Sequence, residues 1–270
     1  MTRVMVGTSG WRYPPWRRTF YPPGLPQRRE LEYLSRRVTS IEVNGSFYSL
    51  QRPESYASWA AETPDGFVFA VKGARFVTHL KQLRDVATPL ANFFASGVLA
   101  LGPKLGPVLW QLPPRMRYDP DRVEAFLELL PRSTTEAAEL ATHHDERLEG
   151  RALTVADAER PLRHAIEVRN ESFRAPAFTQ QLRKHGVALV VSDSAGTWPV
   201  FDERTADFDY VRLHGMGELY VGGYPPEALD EWAARIRSWG RDAYVYFDND
   251  VKARAPYDAV ALLERLSSAA

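Results

Sequence analysis

The chain has no cysteine, which excludes a disulfide framework, a thiolate nucleophile and any cysteine-ligated zinc or iron–sulfur site. It has no surplus of charge either: 34 Lys and Arg balance 34 Asp and Glu. The chain as a whole is therefore not drawn to nucleic acid or an anionic membrane, although a local basic site is still allowed. Nowhere do about 18 apolar residues run together, and the start "MTRVMVGTSG" lacks the apolar stretch and small-residue cleavage site of a secretory leader. A cytoplasmic location without membrane contact is expected. No Walker loop and no G-x-G-x-x-G fingerprint occurs, so no nucleotide cofactor is expected. Internal repeats and low-complexity linkers are also missing.

What is present is an ordinary globular composition, 44% hydrophobic and 25% charged, able to bury a substantial core. Short β-branched or apolar runs recur: "RVMVGTS" near 3–9, "SIEVN" at 40–44, "FVFAVK" at 67–72, "PVLWQL" at 107–112, "HAIEVR" at 164–169, "VALVVSD" at 187–193, "YVRLHG" at 210–215 and "YVYFDND" at 244–250. Between these eight candidate strands, apolar residues fall three and four apart, as in Leu31, Leu34, Val38; Val123, Phe126, Leu127; Leu229, Ala233, Ile236; and Val260, Leu263, Leu266. That spacing predicts helices. Strand–helix alternation implies parallel strands joined by right-handed crossovers, and eight repeats satisfy a single (β/α)8 TIM-like barrel over residues 1–270. Residues 131–163 exceed what a crossover needs and are expected to be a surface insertion or extra helix. The His143–His144 pair there reads as solvated surface, since neighbours on a helix point apart.

In "YVRLHG" the polar Tyr210, Arg212 and His214 alternate with Val211 and Leu213. A strand with one wet face would do this, and so would a strand lining a barrel that holds chemistry. The other strand ends favour the barrel. Each carries groups that ionise or hydrogen-bond, and such ends meet at the catalytic face of an α/β barrel. Parity then turns Glu42, Asn44, Glu167, Arg169, Arg212, His214, Tyr246 and Asp248 inward. A salt-bridged layer that merely closes the barrel is the competing explanation; apolar side chains would fill a purely structural interior at lower cost.

Other candidates lie in loops. Thr78 is placed to cap a following helix with His79 in its first turn, where backbone N–H groups favour an anion. In "GWRYPPWRRTFYP", Trp11, Tyr13 and Trp16 with nearby arginines could stack a flat or sugar-like ligand, or simply pack as a rigid rim. "GMGELYVGGY" at 215–224 has the glycines and tyrosines of a lid.

The stretches "GTSGWRYPPWRRTFYP", "IEVNGSFYSL", "FAVKGARFVTH", "PVLWQLPP", "EVRNESF", "YVRLHG" and "VYFDND" together resemble the domain of unknown function 72 group, in order and across nearly the whole chain. The resemblance implies a TIM-like barrel whose shape is similar to endonuclease IV, a metal-dependent phosphodiesterase acting on abasic DNA, and hence a role with nucleic acid. By position it matches Glu42, Asn44, Phe47 and Tyr48; Lys72, Thr78 and His79; and Arg212, His214 and Gly215. Asn170 and Phe173 stand where the group commonly has His and Trp, and Asp248 where it usually has Asn.

Three readings follow. The first is an enzyme acting on a phosphorylated, sugar or nucleotide-like substrate at the barrel mouth, with phosphodiester hydrolysis as its specific form. Its acid–base groups are drawn from Glu42, His79, Glu167, Asp193 and His214. Lys72, Arg169 and Arg212 clamp the anion, and Trp11, Tyr13, Trp16, Asn44, Tyr48, Gln111, Tyr246, Asp248 and Asn249 complete the binding surface. No cofactor and no metal site are assigned; a divalent cation held by Glu42, His79, Glu167, Asp193, His214 and Asp248, with Asp250, stays open as a variant. The second is a non-catalytic binder of nucleic acid or a nucleotide-like ligand, using the Trp–Arg cluster and the pairs Arg28–Arg29 and Arg36–Arg37. In the third, a scaffold, the polar interior is structural.

Overall fold

The computed structural model describes residues 2–267. β1 (Val4–Ser9), β2 (Ser40–Val43), β3 (Val68–Lys72), β4 (Leu105–Gln111), β5 (His164–Glu167), β6 (Ala188–Leu189), β7 (Val191–Asp193), β8 (Phe208–Leu213) and β9 (Asp242–Phe247) form one all-parallel sheet, ordered β6-β5-β4-β3-β2-β1-β9-β8-β7. Its two ends are the halves of one extended segment: β6 pairs with β5, β7 with β8, and the chain passes between them at Val190. The nine strands thus occupy the eight expected segments and close a (β/α)8 TIM-like barrel.

The helices are α1 (Glu30–Ser35), the single turn α2 (Gly45–Tyr48), α3 (Pro53–Glu62), α4 (Ala87–Ala95), α5 (Pro120–Glu128), α6 (Thr134–Ala141), α7 (Pro176–His185), α8 (Pro226–Ser238) and α9 (Ala255–Ser267). Proline opens α3, α5, α7 and α8, where its fixed φ suits a first turn and its missing N–H costs nothing. Asp119 and Ser133 cap α5 and α6 by accepting the N–H groups of Arg122 and Glu136. None of the helices described is long and apolar enough to cross a membrane.

The main core lies between strands and helices, where Val6, Ile41, Val43, Phe69, Trp110, Ile166, Val211, Val245 and Phe247 face outward onto Leu34, Phe93, Phe126, Leu182 and Ile236. In α9 the buried line is Ala255, Ala259 and Leu262, while Val260, Leu263 and Leu266 are only half-buried, so the helix sits one position out of the expected phase. The barrel interior is a smaller cluster containing Ala70, Leu109, Ala165, Val190, Phe208, Tyr210 and Tyr246. Gly7 belongs to this layer by necessity: a Cβ there would lie 1.7 Å from the Ser40 carbonyl oxygen. Region 131–163 is more than solvated surface. Its helix α6 packs on α4 with Ala137 and Ala141 buried, and Leu148 in the turn after it is buried too, whereas His143 is exposed and His144 half-exposed.

Candidate functional site

Above the tyrosines the barrel is plugged by one guanidinium. Arg212, on β8, is fully buried; it donates through Nε and Nη2 to Glu42 (3.1 and 2.8 Å), through Nη1 to Glu167 (2.8 Å), and through Nη2 to Asp248 (2.9 Å) and Ser9 Oγ (3.3 Å). Glu42 also accepts from Ser9 Oγ and from the Tyr210 hydroxyl at 2.6 Å. Burial alone would push the Glu167 and Asp248 carboxyls up. The opposing cations outweigh it: Arg169 and Arg212 hold Glu167 well below the usual range, and Arg212 holds Asp248 at about 2. Arg212 itself is disfavoured by burial but held charged by Glu42, Asp248 and Glu167.

This plug corrects the expected clamp. Arg212 has no face for a ligand, because three carboxylates use its donors. Glu42 and Glu167 are occupied in the same way and form a floor; as proton carriers for a substrate they are out of reach. His214, also fully buried, lies below the opening with Nδ1 3.0 Å from Asp248 and Nε2 3.8 Å from Glu167, and neither ring nitrogen makes an aligned hydrogen bond.

Over the floor lies a cavity of about 500 Å³ lined by Tyr13, Asn44, Phe47, Tyr48, Lys72, Arg75, His79, Gln111, Arg169, Tyr220, Asp248 and Asp250. Its walls differ in sign. On the β3–β5 side, Lys72 ends β3 with its ammonium 4.4 Å from the centre of the Phe47 ring. Arg169 gives Nε to Glu167 at 2.6 Å and stacks at 3.6 Å over Trp198. Burial and the charges of Lys72 and Arg169 push His79 down to about 4, so it is a neutral imidazole at pH 7. On the β9 side stand Asp248 and Asp250. Burial and then the neighbouring Asp248 charge push Asp250 up to about 6, which makes it the carboxyl that titrates nearest neutrality among these groups.

Several expectations are overturned. Thr78 and His79 lie inside a π-helical turn, Phe76–Leu80, entered from Arg75, and the Thr78 hydroxyl meets His79 Nδ1 at 2.9 Å instead of capping a helix. Asp193 points out of the barrel and accepts from the Tyr224 hydroxyl at 3.0 Å, because odd residues of 187–193 face the helices. Trp16 is fully buried among Tyr13, Phe20 and Tyr21, so it packs the rim and meets no ligand. Trp11 packs edge-on to Trp59 beside a neighbouring hollow of about 280 Å³. Tyr246 lies in the deep layer, 2.7 Å from Ser40 Oγ, and Asn249 is buried, donating to the Gly222 carbonyl and Asp258. Glu30, between the Arg28–Arg29 and Arg36–Arg37 pairs, is buried on Arg17.

The departures at 170 and 173 are structural here. Asn170 accepts from Ser172 and donates to the Pro114 carbonyl, and Phe173 packs on Tyr118 and Phe178. Among the described residues no three His, Asp or Glu side chains are grouped to hold a metal; the carboxylates proposed for that role face a guanidinium, and Asp193 is elsewhere. The ligand set implied by the endonuclease likeness therefore does not fit. Sequence reasoning missed Arg75 and Trp198, took Tyr220 only as part of a lid, and left Asp250 outside the catalytic set. The signal for Asp250 was two carboxylates two residues apart at one strand end.

Comparison with known proteins agrees with this architecture. YunF of Bacillus subtilis, a UPF0759 protein, is 22% identical over 97% of this chain and 94% of its own, and YecE of Escherichia coli K12, another, is 29% identical over 47% and 44%. A DUF72 family protein of Thermotoga maritima superposes with a TM-score of 0.76 at 24% identity, covering 98% of this chain and 99% of that one. One from Enterococcus faecalis gives 0.72 at 16% identity, over 97% and 95%. The model of the family described as protein of unknown function DUF72 matches residues 5–270, and the chain belongs to that family.

Proposed function

We propose that the barrel mouth is the active site of an enzyme that transfers protons on a small anionic substrate, a phosphorylated sugar or a nucleotide-like molecule. The observation that carries this reading is the two-signed cavity above a neutralised floor. Since Arg212 satisfies Glu42, Glu167 and Asp248, the groups left facing the opening are the ones a substrate would meet. Arg169 keeps its two terminal nitrogens without a hydrogen-bond partner among the described residues, a planar fork suited to phosphate or carboxylate oxygens. Arg75 adds a second cation at the rim. Asp250, with its carboxyl at about 6, is suited to both giving and taking a proton near pH 7. His214 lies against Asp248, with Nδ1 3.0 Å from its carboxylate. Tyr48 is 71% exposed at the edge of the cavity, too open for a core role, and offers a face on which a base or sugar ring would stack.

Calorimetric titration with ribose 5-phosphate, glycerol 3-phosphate and mononucleotides tests this. Binding is expected, with a loss of ~10- to 100-fold in Arg169→Gln, the worth of hydrogen bonds to a charged group. Absence of binding for every phosphorylated ligand, or equal affinity in Arg169→Gln, overturns the reading.

A further inference from the structure

Lys72 is not explained by anion binding alone. It closes β3 with its side chain almost wholly buried and its ammonium against Phe47, and Ser46 Oγ donates to its carbonyl oxygen at 2.7 Å, fixing the strand end from which the side chain rises. Among the described residues its Nζ makes no hydrogen bond and no ion pair. Buried ammonium groups are ordinarily paired, because the lost hydration is otherwise uncompensated. Partners are nearby, yet Glu42, Glu167 and Asp248 converge on Arg212. An amine that borders a cavity, is kept from its carboxylates by a competing guanidinium and is backed by an aromatic ring has the setting of an activated nucleophile.

We propose that Lys72 forms an imine with the aldehyde or ketone carbonyl of a phosphorylated hydroxy-aldehyde or hydroxy-ketone. The proposal rests on the mouth being the substrate site and adds the reacting group. The free Nζ lone pair attacks the carbonyl carbon, the C=O π pair moves to oxygen, and that oxygen takes a proton from the Asp250 carboxyl. Nζ then loses a proton to the Asp250 carboxylate, giving a carbinolamine. Asp250 gives that proton to the hydroxyl oxygen, the nitrogen lone pair expels water to form a protonated C=N, and the N–H proton returns to the Asp250 carboxylate. Amine and carbonyl become imine and water, with no oxidant or reductant. β3 and β9 are separated in the sheet by β2 and β1, so Lys72 and Asp250 approach a ligand from different sides. The amine is in a usable state: burial and then Arg212 push it down to about 8, leaving about a tenth of it unprotonated at pH 7.

The test is reductive trapping. Wild-type protein is incubated at pH 7 with glyceraldehyde 3-phosphate or ribose 5-phosphate and cyanoborohydride, then measured by intact mass and peptide mapping. The chain has only five lysines, at 72, 81, 104, 184 and 252, so assignment is direct. One adduct per chain is expected, on Lys72, formed at least ~10-fold faster than on any other lysine, slowed by inorganic phosphate and absent from Lys72→Arg, which keeps the cation but cannot condense. Adducts spread evenly over the lysines, or formed as fast in Lys72→Arg, overturn the proposal. Glycerol 3-phosphate separates the two levels: its binding without trapping of the carbonyl probes refutes the imine alone, whereas binding of neither refutes the mouth as the site as well. The wild-type map stands even if Lys72→Arg fails to fold.

Discussion

Replacing Arg212 by methionine keeps much of the volume of the barrel plug but removes the charge that holds Glu42, Glu167 and Asp248 together. Breaking one buried ion pair from one side costs about 3–5 kcal/mol, because the remaining charge is buried without compensation. Here three carboxylates lose their common partner, so a loss of at least ~4 kcal/mol at pH 7 is expected, a large share of the ~5–15 kcal/mol typical of folded proteins. The pH dependence identifies the cause. In the wild type Asp248 is depressed to about 2; its contribution is fully present above the unfolded value and is lost as pH falls through the folded one. Without Arg212, burial dominates and the folded carboxyls rise above their unfolded values, so their contribution is present at low pH and disappears as pH rises. The stability gap between the proteins should therefore narrow from pH 7 to pH 5. Urea unfolding at both pH values measures it, and Glu42→Gln added to Arg212→Met should recover at least ~1 kcal/mol at pH 7. A loss below ~1 kcal/mol, or a gap unchanged between the two pH values, would refute the picture of a charge plug.

Lys72→Met removes an amine whose folded value, about 8, lies below its ordinary 10.5. The unfolded chain binds more protons in that window, so wild-type stability rises from pH 8 to 10.5 by up to ~3 kcal/mol; Lys72→Met should lose this rise and be at least as stable as wild type at pH 7, as read by urea midpoints. Asp250 is shifted the other way, so its contribution is present below the unfolded value and is lost as pH rises through about 6. Asp250→Asn should flatten the fall in stability between pH 4 and 7, and an unchanged slope would show that another group causes it.

The alternation of Glu42 with Ile41 and Val43, and of Arg212 with Val211 and Leu213, was enough to place the plug residues inside, since a period of two has only two phases. In 187–193 no such contrast exists before Ser192: both faces of that segment are buried, one on the helices and one on the axis, so neither the break at Val190 nor the outward turn of Asp193 could be seen. Residue type showed that cations and carboxylates meet at the mouth, but not that one cation would engage three carboxylates and leave Lys72 unpaired. That outcome depends on register and side-chain length together. The aromatic run after β1 was ambiguous for a different reason, because Trp16 stacks on its own neighbours with the same chemistry it would use for a ligand. Asp250 was legible only as a carboxylate for a cation and not as an acid–base group, because its shift arises from burial and a like charge, and burial in a loop has no sequence period.

The stacking of Arg169 on Trp198 gives the molecule an optical reporter. Of seven tryptophans, Trp198 carries the Arg169 guanidinium on its face, at 3.6 Å, with its edge toward His214 and Tyr220. A ligand that draws Arg169 toward itself changes the field on that indole, so occupancy of the mouth would register as a change in emission colour without any label.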